Sequence, residues 1–259
     1  MAPSRPNYLR LRRSRVILGS FLLFAVLILA FPDVDLFISG QFFDGQSFIK
    51  DQWWQNLLQH GLGYFLGFSI SAVVGMYLWS KLVRTSTRQV DGKRVAYLLL
   101  VGIVGAGLIV NVAFKNNVGR ARPRDVAEFG GTRQFTPPFV VTNQCRTNCS
   151  FSSGDAAAAF FAIALATALS RRRRYMAVAV GFGVVVSFAR ISAGAHFFSD
   201  TVTSFFVMLI LSDVLFYYLV LDARTQPQAH PVDDKLVTAY ATIPVRSDAA
   251  ASATTRRLA

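Results

Sequence analysis

Arg190, His196 and Asp200 are spaced six and then four residues apart in Ala189-Arg190-Ile191-Ser192-Ala193-Gly194-Ala195-His196-Phe197-Phe198-Ser199-Asp200. A histidine four residues before an aspartate shares its face on a helix. The carboxylate can then hold one ring nitrogen as N–H and leave the other free to attack, as in a catalytic triad. A capped helix start with an incidental histidine is the plainer alternative, but the chain has only three histidines. A second segment, Lys115-Asn116-Asn117-Val118-Gly119-Arg120-Ala121-Arg122-Pro123-Arg124, packs four cations into ten residues. Arginine clamps phosphate oxygens through parallel hydrogen bonds and lysine adds a point charge, so an anion site is expected; the alternative is a solvated or headgroup-contacting loop. A third segment, Cys149-Ser150-Phe151-Ser152-Ser153-Gly154-Asp155, enters an alanine-rich run. Small residues at a helix start suit either an anion cradle or a plain cap.

These segments must be held by membrane helices. The chain has 259 residues, 53% apolar and only 16% charged, with a net charge of +13. That composition excludes a disordered, collagen-like or coiled-coil chain. Two cysteines exclude a disulfide-rich scaffold or a zinc cluster. Apolar stretches at 16–32, 61–80, 95–114, 156–170, 175–189 and 201–221 approach or reach the length a bilayer requires. The two shorter ones, 156–170 and 175–189, are joined only by the four arginines 171–174 and read as a tight hairpin. The expected fold is therefore an all-α integral membrane protein. It has six transmembrane helices, with an aromatic-rich interfacial segment around 36–59 between the first and second. Domains are read as a basic tail over 1–15, a membrane domain over 16–222 and an unstructured tail over 223–259. Asp213, inside the sixth span, is a functional suspect or a structural polar contact.

Lys and Arg set the orientation. Nineteen fall in the N-terminal tail, the second and fourth loops and the C-terminal tail, against eight in the other loops. Both termini are placed in the cytoplasm, with the cation-rich third loop and His196 facing outward. Cys145 and Cys149 share that loop. In an oxidising periplasm they are expected to form a disulfide bracing Ser153 and Gly154.

Together the three segments resemble the signature of the type-2 phosphatidic acid phosphatase superfamily, K-x6-R-P, P-S-G-H and S-R-x5-H-x3-D. Lys115 with Arg122-Pro123 fits the first part. Arg190, His196 and Asp200 fit the third, with Ala189 in place of Ser. In the second part Ser153 and Gly154 fit, Ser152 replaces Pro, and Asp155 replaces His. The resemblance implies a six-helix membrane phosphatase that uses no metal and no cofactor. His196 is then the nucleophile, Asp200 its orienting partner, and Lys115, Arg122, Ser153, Gly154 and Arg190 the phosphate ligands. Asp155 falls where the family's proton donor stands. An ionised aspartate cannot donate, so it is either protonated in the loaded site, used in another step, or a mark of reduced activity. Cys-Ser-Phe-x-Ser-Gly followed by an acid, with Phe31-Pro32, Asp35 and Phe42-Phe43-Asp44, is similar to the lipid A 4′-phosphatase branch. The substrate expected from this is a lipid phosphate, lipid A foremost, in the bacterial inner membrane, with no nucleic-acid partner. Rivals are hydrolysis of undecaprenyl pyrophosphate, phosphatidylglycerol phosphate or phosphatidic acid, and a non-catalytic lipid-phosphate binder or transporter. An oriented imidazole counts against mere binding.

Overall fold

The computed structural model describes residues 7–49, 52–83, 91–170 and 172–221. The tail placed at 223–259 lies outside them, as do residues 1–6 and Arg171. Among the described residues there is no strand, only two isolated bridges, Phe43 with Phe48 and Val126 with Arg133. The helices are α1 (Asn7–Ala30), α2 (Asp33–Gly40), α3 (Trp53–Leu82), α4 (Gly92–Phe114), α5 (Gly154–Leu169), α6 (Arg173–Ser192) and α7 (Phe198–Leu221). Five of them, α1, α3, α4, α6 and α7, are long and apolar enough to cross a membrane; α5 is apolar but shorter.

α5 is the hub, packed against α3, α4, α6 and α7. Ala156, Ala157, Ala159, Ala164 and Ala168 are all buried on it. Small side chains let backbones approach where lipid offers no hydrophobic driving force between helices. Gly183 of α6 admits the Phe160 ring, and a Cβ at Gly105 of α4 would stand 2.9 Å from the Met208 sulfur. The outer faces are apolar and open, with Leu23 on α1, Phe68 on α3 and Val178 on α6 at least 60% exposed. Such faces suit lipid, and the chain is a multi-pass membrane protein.

The starts of α1 and α3 differ from the sequence reading. α1 begins at Asn7, inside the region read as a basic tail. There Arg13 Nε lies 3.3 Å from Asp213, and the Ser14 hydroxyl donates to the same carboxylate at 2.7 Å. Asp213 is therefore a polar tie between α1 and α7, far from the third loop in sequence. α3 begins at Trp53, about two turns before its uncharged core. Those turns carry Gln55 and Gln59, whose amides reach Ser192 and Arg190. The interfacial segment contains the short helix α2 and the Phe43–Phe48 bridge before α3 starts.

Candidate active site

Three segments distant in sequence meet at one end of the bundle, and backbone bonds lock them together. Arg124 N–H donates to the Gly194 carbonyl at 3.1 Å and Ser150 N–H to the Arg120 carbonyl at 2.9 Å. The Ser204 hydroxyl donates to the carbonyl of Ser153 at 2.8 Å. Gly194, at φ +61°, turns the chain from α6 toward His196 and leaves no room for a Cβ against the Phe48 ring. The left-handed backbone makes glycine the suitable residue there.

His196 is 1% exposed. Its Nδ1 lies 2.8 Å from the carbonyl oxygen of Ser150 and 3.7 Å from Asp200 Oδ2. A carbonyl can only accept, so Nδ1 carries the hydrogen and Nε2 of the neutral ring keeps its lone pair. The orienting partner is thus the Ser150 backbone, rather than the Asp200 side chain expected from the spacing. Asp200 is occupied elsewhere. Its Oδ1 takes Arg120 at 2.6 Å, and its Oδ2 takes the Ser150 hydroxyl at 2.5 Å and the Phe197 N–H at 2.9 Å. It acts on the ring at a distance and by fixing the segments on either side. Burial pushes the His196 imidazole below its ordinary value; Asp200 opposes this, while the charges of Arg122 and Arg190 reinforce it.

Just beyond α4, Lys115 ties its backbone N–H to the Val110 carbonyl at 3.1 Å, while its ammonium makes no hydrogen bond or ion pair among the described residues. Burial is the main cause that holds its ammonium below the usual lysine range, followed by Arg122. Arg122 gives Nε and one terminal nitrogen to the Asn148 carbonyl, at 3.2 and 2.8 Å. Burial and then Arg124 and Arg190 lower its guanidinium, with Asp125 and Asp155 opposing. Arg190 donates to Gln59 Oε1 at 2.6 Å and holds Nε 2.9 Å from Asp155 Oδ2. That contact pairs the charges without the alignment of a hydrogen bond, because the buried Nε finds no acceptor in line. Asp155 is about a third exposed and answers Lys115 and Arg122 as well as Arg190. Lys115, Arg122, Arg190 and Asp155 therefore form one mutually interacting cluster beside His196. Its cations exceed its one carboxylate, which is the electrostatic form of an anion site.

The Ser153 hydroxyl accepts the Ala156 N–H at 3.2 Å and so caps α5, keeping its own hydrogen for another acceptor. A Cβ at Gly154 would stand 2.7 Å from Asn111 Oδ1, so the start of α5 comes close to this side chain of α4 and a larger residue would make it shift. Cys145 and Cys149 are joined as a disulfide with Cα atoms 5.6 Å apart. Among the described residues no three His, Cys, Asp or Glu side chains gather as metal ligands.

Four contributors were assigned no role of their own in the site from the sequence. Ser150 acts through its carbonyl, and any residue supplies one. Gln59 positions Arg190 from outside the three segments. Arg120, counted in the sequence among the loop cations, is fully buried and paired with Asp35 and Asp200 rather than turned to the anion site. Asp35 holds it from α2. In the sequence Asp35 is marked only by the resemblance to the lipid A 4′-phosphatase branch, which names no buried partner for it.

The PAP2 superfamily model matches residues 96–224. A lipid A 4′-phosphatase of Francisella tularensis subsp. novicida (strain U112) is 32% identical over 197 residues, covering 73% of this chain and 89% of that protein. The Rhizobium leguminosarum lipid A 4′-phosphatase is 26% identical over 224 residues, covering 80% and 94%. The crystal structure of a PAP2-type phosphatidylglycerolphosphate phosphatase from Bacillus subtilis shares the fold, with a TM-score of 0.53 at 20% identity, covering 83% of this chain and 98% of that one. The match spans the loop that carries Lys115, the start of α5 and the turn that presents His196, and with these relatives it shows that the chain is a multi-pass membrane phosphatase belonging to the PAP2 superfamily.

Proposed function

We propose that this protein is a lipid A 4′-phosphatase of the bacterial inner membrane. In this reading six helices cross the bilayer, α5 being the sixth, both termini are cytoplasmic, and the cluster around His196 opens to the periplasm. The observation that carries the chemistry is the bond from His196 Nδ1 to the Ser150 carbonyl, which leaves Nε2 unprotonated on a ring that feels the charges of Arg122 and Arg190. The names of the relatives support the lipid A substrate, and the distribution of Lys and Arg supports the orientation.

The phosphate monoester binds with its oxygens on Lys115, Arg122 and Arg190, the Ser153 hydroxyl and the Gly154 N–H at the start of α5. Nε2 of His196 attacks phosphorus as the P–O bond to the sugar breaks. The leaving oxygen takes a proton from Asp155. Water then attacks the phosphohistidine, Asp155 takes up one of its protons, and inorganic phosphate leaves with His196 restored. Fixed cations around the three equatorial oxygens stabilise charge where it develops. In the free protein Asp155 pairs with Arg190. An arriving phosphate competes for that arginine, and a monoester arriving as its monoanion brings the proton that Asp155 passes to the leaving oxygen.

The test is phosphate release by purified full-length protein from a panel of lipid A, phosphatidylglycerol phosphate, phosphatidic acid and undecaprenyl pyrophosphate. Mass spectrometry of the lipid A product locates the lost group. Preferred release from the 4′ position is the expected result. Binding of lipid phosphate without any release would reject the catalytic reading.

A further inference from the structure

Asp35 lies in the first turn of α2, outside residues 96–224, and its side chain is fully buried. Its Oδ1 accepts Ser199 N–H at 2.8 Å. Its Oδ2 accepts the Ser199 hydroxyl at 2.5 Å and Arg120 at 2.9 Å. Arg120 also donates to Asp200 Oδ1, the Ser199 hydroxyl and the Thr136 carbonyl. Its guanidinium lies over the Phe197 ring, 4.2 Å from the centroid. Asp200 in turn holds Ser150 and the Phe197 N–H, and the Ser150 carbonyl holds His196. Every side chain on this path is at most 1% exposed, so solvent cannot replace a missing partner.

We propose that Asp35 is a positioning residue for His196, acting through Arg120 and Asp200; this rests on the nucleophile reading above. One guanidinium is shared between two buried carboxylates. It cannot close on either without stranding the other as an uncompensated charge, which is strongly unfavourable. The share held by Asp35 keeps Arg120 from wrapping Asp200 with two parallel bonds, the geometry arginine favours with a lone carboxylate. Asp200 thereby keeps Oδ2 for Ser150 and Phe197, the two residues that fix where the imidazole stands. By gripping Ser199 as well, Asp35 pins the first turn of α7 from which Asp200 projects. Outer-shell partners of metal ligands typically cost about 10–100-fold when removed, and a buried partner that orients a catalytic histidine is expected to cost a similar amount.

Steady-state kinetics on full-length protein in lipid nanodiscs test this. Asp35→Asn keeps an acceptor for Ser199 N–H but takes the charge from Arg120. The expected result is a kcat about 10–100-fold lower with KM within about twofold. Adding Asp35→Asn to Asp200→Asn should lower kcat no further than Asp200→Asn alone, because the effect passes through that carboxylate. A wild-type kcat in Asp35→Asn, a KM rising in step with the fall in kcat, or a double variant that loses the product of the two single effects would each overturn the proposal. Where Asp35→Asn does not fold, Ser199→Ala removes the hydroxyl shared by Asp35 and Arg120 without stranding a charge. It should lower kcat alone, and an unchanged kcat there overturns the proposal equally. His196→Ala in the same preparations separates the two ideas: turnover surviving in it rejects the nucleophile itself, whatever Asp35 does.

Discussion

The ring of His196 is tied to the backbone of Ser150, 46 residues earlier in the chain, by a 2.8 Å bond from Nδ1 to a carbonyl. Motif spacing alone would give that task to Asp200, which stands at 3.7 Å. The difference matters chemically. A carbonyl partner fixes the tautomer without changing charge as the ring reacts. Asp200 remains free to pair with Arg120 and to hold the neighbouring turns.

His196→Ala should abolish phosphate release while leaving a folded protein. Loss of a nucleophile or its base typically costs about 10⁴–10⁶-fold. The measurement is phosphate release alongside a detergent-solubilised thermal melt. Near wild-type turnover with a normal melt would remove the phosphohistidine.

The pH profile should be asymmetric. His196 attacks as the neutral base, and burial lowers its pKa below the ordinary 6.5. Its base form is then fully present at neutral pH, and the acid limb of kcat/KM should fall as pH drops through a midpoint below 6.5. Lys115 must stay cationic, and burial and Arg122 bring its pKa below 10.5. KM should therefore rise on the alkaline side before an ordinary lysine would titrate. An acid limb centred above 6.5 would contradict the environment described for His196.

The membrane helices and two of the three site segments were readable because each rests on a local rule. A bilayer demands a minimum apolar length, and Arg190, His196 and Asp200 lie close in sequence, although His196 stands in the turn between α6 and α7 and not on one helix face with Asp200 as the spacing suggested. The ion pairs were not readable. Arg120 meets Asp35 across 85 residues, and Asp213 meets Arg13 from the far end of the membrane domain, separations at which sequence carries no register. The same loop contained Arg120, Arg122 and Arg124, and only packing decides that Arg120 turns inward over Phe197. Gln59 was hidden for a different reason. It lies in polar turns that precede the uncharged core of α3, where hydropathy marks an interface rather than a helix.

The disulfide should matter through Arg122. Asn148, between the two cysteines at φ +51°, presents the carbonyl that receives both Arg122 donors. Closing so short a loop constrains the unfolded chain by about 2 kcal/mol in the chain-entropy account. Cys145→Ser with Cys149→Ser should lower the melting temperature and raise KM several-fold, with a smaller effect on kcat. Thiol labelling of unreduced, unfolded protein checks the bridge directly: two reactive thiols there would show that it is absent.

Asp155 decides how the leaving oxygen is protonated. Its carboxylate sits 2.9 Å from Arg190 Nε and close enough to Lys115 and Arg122 to act on both. Two roles fit that position. As a general acid it gives up a proton only when the bond to the leaving oxygen breaks, so its removal should matter in proportion to the basicity of that oxygen. As a brace for Arg190 it should matter equally for every substrate, because every phosphate uses the same cation. Asp155→Asn separates the two while leaving a side chain of the same size. The expected outcome is a loss of about 10²–10⁴-fold on a lipid phosphate with a sugar alkoxide leaving group, the usual range for general acid catalysis. An aryl phosphate, whose leaving oxygen needs little protonation, should lose far less. Equal losses on the two substrates would return Asp155 to the bracing role and leave water as the proton source.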